Sequence, residues 1–546
     1  MPALTTPVGE KAPTLGAGRT SRRAVLGLVI LLGLTGTAGA QDDLRVGTIT
    51  IRTLNVFSPE EASRGWPYRW ANALHITTRP SVIRRFLLFH EGEPYNAELL
   101  AQTERNLRAL TFIKLASVVA QAPHDGVVDV VVTTQDGWTT EIGGNFGSKG
   151  GVTTYGVDLS EKNVLGTGKQ VSFSYDKGTE RTTRSLAFTD PYLFGPYWYG
   201  QLVLANASDG FEQSLEIARP YYALTTPWAM DAVLDNLRQN EKLYANGELD
   251  EQFRQDHKQV TLLYGKALQA SLARARRLSA GFDAEEDDFQ NLPDRPDDTL
   301  PDPRKFHYVF LQYDDISNDF LKMNYVNRDL RFEDFNLGRS FSLRLGVSPA
   351  VFGAPETTGL GRVTVSEGWR LSLRSFFLGS VAYQTRFGPI NSNAVVTATG
   401  FLAYKFDTKL LQTFVARLQV DRGFGLDHDV QFFADGETGL RGYRLHAFEG
   451  DRRIIVNFEH RIFSGREILE LVAPGAVAFV DTGTAVPSGQ PLTIHSFKTD
   501  AGVGLRFGIA RAPSNNILRI DFGYAFNADA QGRKGWLVSF SSSQAF

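Results

Sequence analysis

Residues 518–526 read LRIDFGYAF, and their side chains alternate in character from one residue to the next. One set is apolar and aromatic: Leu518, Ile520, Phe522, Tyr524 and Phe526. The other set is charged or small: Arg519, Asp521, Gly523 and Ala525. Because successive side chains of a β-strand point to opposite faces, this segment is predicted to be a strand with one apolar face. The same alternation occurs in GVGLRFGI (502–509), VSFSY (171–175) and FVARLQVD (414–421).

Short alternating runs, separated by Gly, Pro, Asn and Asp, continue from Trp138 to the end of the chain. A secreted sandwich or propeller would turn the apolar faces inward. An outer-membrane barrel would turn them toward lipid and line its lumen with the polar faces. Charges such as Arg506 and Asp521 on the small-residue face suit a wet lumen and favour the barrel. The runs suggest roughly 16 to 19 strands, and since both barrel ends in the periplasm require an even number, we expect about 16.

Two regions depart from this alternation. Residues 282–305, FDAEEDDFQNLPDRPDDTLPDPRK, are highly charged and rich in Pro, which predicts a long external loop. Residues 1–40 resemble a signal peptide, with Arg19, Arg22 and Arg23 before the apolar run 24–34 and AGA (38–40) before Gln41. The apolar run is too short for a membrane helix, which needs about 20 residues.

The region between the signal and the alternating part predicts a small separate domain. RVGTITIRTL (45–54) alternates like a strand, RPSVIRRFLLF (79–89) and AELLAQTERNLRAL (97–110) have helical patterns, and 113–122 and 127–136 predict two more strands. The turn signal PHDG separates those two strands. The expected order is β-α-α-β-β over residues 41–137.

Composition excludes several classes of function. The 546 residues include no Cys, which excludes thiol catalysis, thiolate metal sites and disulfides. A net charge of −3 argues against nucleic-acid binding. No G-x-S-x-G motif occurs, and the nine His show no metal-ligand spacing. We therefore expect no enzyme activity, no cofactor and no metal.

Several motifs occur in a characteristic order: FTDPYLFG (188–195), LRGY (440–443), FVDTG (479–483) and a C-terminal segment that contains Phe540 and ends at Phe546. In this order they resemble the Omp85 superfamily of outer-membrane proteins, which includes BamA- and TamA-like proteins. Polar Ser542 and Gln544 depart from the usual terminal pattern. The resemblance implies one periplasmic POTRA domain (41–137) and a transmembrane barrel (138–546), with FVDTG on the thirteenth strand.

The resemblance also implies a site. The loop that carries Leu440, Arg441, Gly442 and Tyr443 would fold into the lumen, and Arg441 would pair with Asp481 of the Phe479–Gly483 motif on the wall. Arg offers a planar fork of donors that matches a carboxylate. Gly442 would permit a close approach to the wall, and Tyr443 could pack beside the guanidinium. Without the resemblance, a solvated external loop with incidental arginines is the favoured explanation.

The function that the resemblance implies is insertion of polypeptides into the outer membrane or their translocation across it. Extended clients would pair with the POTRA sheet and with a barrel seam that can open. In the presumed first strand, 139–151, Gly143, Gly144 and Gly147 would weaken the seam; packing of the glycines against the inserted loop is the alternative. Expected partners are outer-membrane lipid, unfolded or extended polypeptides, and periplasmic proteins or lipoproteins. A passive pore or surface antigen is the alternative function, and a single POTRA domain favours a specialised or accessory member.

Overall fold

A computed structural model describes residues 44–541, apart from 109, 196, 272, 328–331, 389–391, 467, 469–471 and 510–516. The predicted signal peptide and Phe546 lie outside these residues. The chain divides into two compact units. Among the described residues, the first comprises 44–141 with 160–171 and 190–195, and the second comprises 142–159, 172–189 and 197–541.

The first unit contains a three-stranded sheet with helices. Its elements are β1 (Arg45–Leu54), α1 (Pro59–Ser63), α2 (Trp66–Leu74), α3 (Pro80–Arg84), α4 (Ala97–Arg108), β2 (Ile113–Ala120) and β3 (Val127–Asp136). The sheet order is β1-β3-β2, with β1 parallel and β2 antiparallel to the central β3. Ile83, Leu107 and Val130 are among the residues of its apolar core.

Two helices were missed in the predicted β-α-α-β-β order. Residues 57–77, whose polar and aromatic composition gave no clear pattern, form α1 and α2. α1 begins at a capping box in which the Ser58 hydroxyl accepts from the Glu61 backbone N–H and the Glu61 carboxylate accepts from that of Ser58. The predicted helix 79–89 is shorter, at Pro80–Arg84. No helix of the described residues has the length and apolar character needed to cross a membrane.

Twenty of the remaining strands in the described residues form a closed antiparallel barrel. In chain order they are β4 (Thr140–Lys149), β5 (Val152–Glu161), β6 (Gln170–Lys177), β7 (Thr182–Asp190), β8 (Tyr199–Ala207), β9 (Gly210–Arg219), β10 (Trp228–Ala245), β11 (Glu248–Ala270), β12 (Arg274–Asn291), β13 (Arg304–Ser317), β16 (Ser340–Ser348), β17 (Thr358–Ser372), β18 (Ser375–Phe387), β19 (Ala394–Lys405), β20 (Leu411–Phe424), β23 (Arg452–Phe463), β24 (Val472–Val486), β25 (Lys498–Ile509), β26 (Ile517–Ala525) and β27 (Gly535–Ser541). Two short hairpins lie outside this ladder: β14 (Phe320–Asn324) with β15 (Phe332–Asn336), and β21 (Phe432–Phe433) with β22 (Glu449–Gly450).

The described residues thus form a barrel of 20 strands, and the expectation of about 16 was wrong. Asp481 lies on β24, the seventeenth barrel strand rather than the thirteenth. Three strands follow it, as they would in a 16-stranded barrel with the motif on its thirteenth strand. The additional strands therefore precede the motif. β11 has 23 residues, about twice the roughly 9–11 that a tilted strand needs to cross a membrane, so long polar extensions obscure the alternation here.

The predicted external loop 282–305 was also wrong in its first half. Residues 282–291 belong to β12, and only 292–303 connect it to β13. Asp283, Glu285 and Asp287 lie on one face of β12, and the carboxylates of Asp283 and Asp287 bond to neighbouring strands. The Asp283 carboxylate accepts from Gln259 and Thr261 at 2.9 and 3.1 Å. The Asp287 carboxylate contacts His257 at 2.8 Å and accepts from Arg304 at 3.2 Å. Charge does not exclude a strand whose polar face finds partners inside a barrel.

The two faces of the barrel are inverted relative to a soluble protein. On β26 the apolar Leu518 and Phe522 are exposed, whereas the alternating Arg519 and Asp521 are buried inside. β25 repeats the pattern, with Val503 exposed and Arg506 buried. An apolar outer face around a polar interior is the arrangement of a transmembrane barrel. A secreted sandwich or propeller would instead bury the apolar face.

Candidate functional site in the barrel lumen

The site is built on the long connection between β20 and β23, residues 425–451. It folds into the lumen, where the side chains of Leu440, Arg441 and Tyr443 are almost fully buried. The β21–β22 bridge, Phe432↔Gly450, closes its base. Within the loop, the carboxylate of Asp435 accepts from the backbone N–H groups of Thr438 and His446 at 3.0 and 2.8 Å. The alternative of a solvated external loop does not describe this connection.

Arg441 contacts two acidic residues of the barrel wall. Its Nε and Nη2 donate to the two oxygens of Asp481 at 2.7 and 2.8 Å, and its Nη1 donates to Glu459. All three side chains are buried. The planar fork makes a bidentate contact, which a Lys could not make. Asn457 completes the arrangement by donating to Asp481 Oδ1 at 2.8 Å.

Sequence reasoning brought Arg441 and Asp481 together but missed Glu459 and Asn457. The signal was present in NFEHR (457–461), where alternation puts Asn457, Glu459 and Arg461 on one face of β23. The structure places all three inward, while Phe458 points outward. A carboxylate on the polar face of the strand directly after the loop was a candidate partner for an arginine in that loop.

The aromatic ring under the guanidinium belongs to Phe479 rather than Tyr443. The Arg441 guanidinium carbon lies 3.6 Å from the centroid of the Phe479 ring, a cation–π contact. Tyr443 packs edge-on against Phe448, with ring centroids 5.2 Å apart, and its hydroxyl donates to the Thr499 carbonyl at 3.2 Å. Phe479 and Asp481 lie two residues apart on β24, so both motif side chains face the lumen.

The glycines of the motifs permit close approach. A Cβ at Gly442 would lie 2.6 Å from Asp500 Cβ, so no larger residue fits without displacement. Gly442 faces Gly523 of β26, where a Cβ would lie 3.1 Å from the Gly442 nitrogen. Gly483 of the wall motif packs on β23, where a Cβ would lie 2.8 Å from the Ile454 carbonyl oxygen. Gly442 therefore lies close to the wall at Asp500 and Gly523.

Further contacts tie the outer part of the loop to strands on other sides of the barrel. Asp429 accepts from Arg304 of β13 at 2.7 and 2.9 Å. Gln431 exchanges two hydrogen bonds with the backbone of Tyr244, at 3.0 and 2.9 Å. The His446 ring stacks on Tyr244, with centroids 3.7 Å apart. The loop is thus held at both its inner and its outer parts.

β4 and β27, the first and last barrel strands, meet at the seam. In the described residues of this seam, the register pair is Phe540↔Ser148. The rings of Phe146 and Phe540 stack at 4.9 Å across the seam. The seam therefore carries an aromatic contact beside this register pair.

The three candidate seam glycines have different neighbours. A Cβ at Gly143 would collide with Asp158 of β5, and one at Gly144 would lie 3.5 Å from the Gly156 carbonyl oxygen. A Cβ at Gly147 would lie 3.1 Å from the Phe540 carbonyl oxygen, directly at the seam. Packing against the inserted loop, the alternative role, occurs at Gly150, whose carbonyl accepts from the Leu445 N–H at 3.3 Å.

One group of side chains in the described residues has the composition of a metal site. His257, Glu285 and Asp287 offer ligand atoms that lie within 4.8 Å of one another. The Asp287 carboxylate, however, already contacts His257, Gln255 and Arg304. We therefore assign no metal to this group, which the spacing of the His residues in the sequence had not suggested.

No family model matches the sequence. Among solved structures, the chain is similar to BamA from Haemophilus ducreyi lacking POTRA domains 1–3, at 13% identity over 90% of this chain and 84% of that one, with a TM-score of 0.44. It is also similar to CdiB from Acinetobacter baumannii (13% identity, 92% and 74% covered, TM-score 0.41) and CdiB from Escherichia coli (12%, 91% and 76%, TM-score 0.41). At these identities and TM-scores, the similarities carry no argument about activity.

Proposed function

We propose that this chain is an outer-membrane barrel of the Omp85 superfamily that inserts polypeptides into the outer membrane or translocates them across it. The observation that carries the proposal is the bidentate contact between Arg441 of the inserted loop and Asp481 of the wall, at 2.7 and 2.8 Å. This is the contact that the LRGY and FVDTG motifs imply. The contact between Arg441 and Glu459 adds a second wall strand to it.

The sheet of the first unit supports a role in binding extended chains. β2 is an edge strand of the order β1-β3-β2, and its side chains Leu115 and Val119 are exposed. An edge strand offers unpaired backbone groups to an incoming strand, and alternate side chains give apolar contact. We propose that clients pair with β2, with this unit in the periplasm, before they reach the barrel.

The seam is the second proposed template. Gly147 lies beside Phe540 where β4 meets β27, and glycine weakens a strand because it has no side chain to pack. A seam that opens would present the edges of β4 and β27 to a client strand. The stacked Phe146 and Phe540 rings would be separated in that step.

A passive pore or surface antigen is the competing function. The described lumen is occupied by residues 425–451, which bond to β10, β13, β23 and β24. Such a filled lumen suits a gated barrel better than a wide pore. Enzyme activity is not part of the proposal, and lipoprotein or periplasmic partners are proposed only as a class.

Quantitative proteomics of outer membranes from cells with and without this protein would test the function. A fall in many barrel proteins would support general assembly, and a fall in one or a few would support a dedicated insertase or transporter. A secreted protein trapped in the periplasm would support translocation. If no other protein changes, the passive barrel replaces the proposal. Re-expression of the wild-type chain serves as the control.

A further inference from the structure

A second segment enters the lumen, from the end of the barrel opposite to the loop 425–451. Residues 318–339 connect β13 to β16 and form the β14–β15 hairpin. Five antiparallel barrel strands, β16 to β20, separate this connection from the loop, so the two segments start at opposite ends. Near the hairpin tip, Val326 is fully buried. The buried, lumen-facing Arg461 donates from Nη1 to the Val326 carbonyl at 3.0 Å and to Asn327 Oδ1 at 2.8 Å.

The hairpin covers an apolar patch on the lumen wall. Phe376 and Leu378 of β18 stand opposite Ala403 and Phe401 of β19 in register. These four residues form the patch, in a lumen that elsewhere holds ion pairs such as Arg506–Asp521 at 2.6 Å. The hairpin side chains that cover it are Leu321, Met323, Val326, Phe335 and Leu337. Phe335 and Phe376 have ring centroids 4.4 Å apart.

The hairpin is held there mainly by side chains. β14 and β15 pair with each other, from Phe320↔Asn336 to Asn324↔Phe332, and are not part of the barrel ladder. At the base, the Gly368 N–H of β17 donates to the Leu337 carbonyl at 3.0 Å. Near the tip, Thr413 donates to the Tyr325 carbonyl, and Lys405 donates to Asn324. A two-stranded hairpin is marginal alone, so its ordered state depends on the patch.

The hairpin has the pattern of an extended apolar strand. Leu321 and Met323 of β14 are buried on the patch, and the intervening Lys322 is exposed. The cations Lys405 and Arg461 near the patch bond to oxygens of the hairpin, those of Asn324, Val326 and Asn327. The occupied patch thus recognises alternating apolar side chains that are flanked by acceptor oxygens.

We propose that this patch is a docking site for an extended client segment with alternating apolar side chains, and that the hairpin 318–339 occupies it in the resting molecule. This inference rests on the proposed function and names the class of segment that the lumen accepts. A client would displace the hairpin and offer its own apolar side chains to Phe376 and Phe401. Its backbone or side-chain oxygens would replace those of Val326 and Asn327 as acceptors for Arg461.

Displacement of the hairpin would also affect the loop 425–451, through the contacts of Arg461 and Glu459. Arg461 Nε donates to Glu459 at 2.6 Å, and Glu459 also accepts from Arg441. Arg461 thus bonds to the hairpin and to a carboxylate that holds the inserted loop. Loss of the hairpin acceptors would free part of the Arg461 guanidinium for Glu459, so that occupancy of the patch is communicated to the loop.

Peptide binding to the full-length chain in detergent micelles would test the docking site. The probe is a fluorescent nonapeptide with Leu or Phe at every second position and Asn or Thr between them. A second peptide of the same composition, with its apolar residues in one block, controls for partition into micelles. Binding is followed by fluorescence anisotropy.

Three double variants test the role of the hairpin, the role of the patch and a control site. Leu321→Ser with Met323→Ser weakens the hairpin and leaves the patch intact. Phe376→Ser with Phe401→Ser removes the patch. Val351→Ser with Phe352→Ser, in an exposed turn, is the matched control. We expect the hairpin variant to bind the alternating peptide about tenfold more tightly than the wild type, because the competent state becomes more populated. The patch variant should lose this binding, and the control should equal the wild type.

Equal affinity of all four proteins for the alternating peptide would overturn the docking site, as would equal binding of the two peptides. Heat-modifiable migration in gels verifies that each barrel is folded. If the hairpin variant fails to fold, Gly368→Ala replaces it, because a Cβ there would lie 2.5 Å from Leu337 Cα, and Gly508→Ala is its control, with no neighbour closer than 3.6 Å. If peptide binding does not depend on the hairpin, although client proteins still need this chain for assembly, only the docking site is overturned. Hairpin-dependent binding in a protein whose absence changes no other outer-membrane protein overturns the proposed function alone.

Discussion

Two segments fill one lumen, and they are held by different physics. The loop 425–451 is fixed by a buried guanidinium between two carboxylates, Arg441 with Asp481 and Glu459. The hairpin 318–339 is fixed mainly by apolar side chains on the patch of Phe376, Leu378, Phe401 and Ala403. A bidentate ion pair requires one orientation and one partner. Apolar contact is not directional, so another apolar segment can replace it.

This difference gives the two segments different roles: the loop is fixed, and the hairpin is displaceable. A buried ion pair that loses one partner leaves an uncompensated charge, so the loop has one stable seat. The hairpin can leave its patch whenever another segment covers the same apolar surface. Four substitutions test this difference, and their expected effects decrease from Arg441→Ala to Lys242→Ala.

The largest effect is expected for Arg441→Ala, because Asp481 would remain buried without its cation and Glu459 would keep only its contacts with Arg461 and Arg506. Breaking a buried pair in this way costs about 3–5 kcal/mol. The free energy of unfolding, measured from urea titrations of the barrel in lipid vesicles, should fall by that amount. Arg441→Lys should recover only part of it, since Lys lacks the planar fork. A loss below about 1 kcal/mol in Arg441→Ala would mean that the pair behaves like a surface pair.

Phe376→Ala should have the next largest effect and should act on the hairpin. The ring is fully buried against Phe335, and removal of such a ring costs about 3 kcal/mol where the surroundings can collapse. Limited proteolysis within 318–339 should become faster, whereas proteolysis within 425–451 should not. Equal acceleration in both segments would show that the two inserts open together.

Gly442→Ala should lower the free energy of unfolding by a smaller amount, because it disturbs the packing of the loop on the wall. Its Cβ would lie 2.6 Å from Asp500 Cβ, and overpacking of this kind costs about 1–3 kcal/mol. Gly508→Ala is the matched control, because its nearest neighbour would lie 3.6 Å away. Urea titration of both variants measures the difference, and equal stability would contradict the tight approach of the loop to the wall.

The smallest effect is expected for Lys242→Ala. Lys242 pairs with Glu180 at 2.8 Å, but both side chains are partly exposed, at 25% and 31%. Exposed pairs contribute about 0–1 kcal/mol and are screened by salt. The urea midpoint of this variant should approach that of the wild type as salt increases, whereas Arg441→Ala should remain destabilised at every salt concentration. A large, salt-independent loss in Lys242→Ala would contradict the weak, screened character of this partly exposed pair.

The sequence predicted some parts of this molecule well because their signal is local. The alternation in 518–526 predicted a strand of inverted polarity, and the described structure has a closed antiparallel barrel. The strand number was wrong because β10 to β13 extend as polar strands, where charged faces hide the alternation. The hairpin escaped notice because Phe320–Asn324 alternates like a wall strand, and a pattern of period two does not say which sheet a strand joins.

Only the residues of the candidate site that belong to recognisable motifs could be predicted from the sequence. Arg441 and Asp481 lie 40 residues apart in the chain, and their resemblance to known motifs brought them together. Glu459 has no motif, and its role arises from its place on the strand that follows the loop. The apolar patch lies on β18 and β19, and the hairpin that covers it comes from the connection between β13 and β16, so no single stretch of sequence displays the two together.

We propose that the bidentate contact between Arg441 and Asp481 is needed for the insertion or translocation of polypeptides. The most direct measurement is a double-mutant cycle on the outer-membrane levels of the affected client proteins, with Arg441→Ala, Asp481→Ala and the double variant at equal amounts of folded barrel. We predict that each single variant lowers the outer-membrane levels of the same client proteins. The double variant should lower these levels no further than the more severely affected single variant does. Normal client levels in both single variants would contradict the claim.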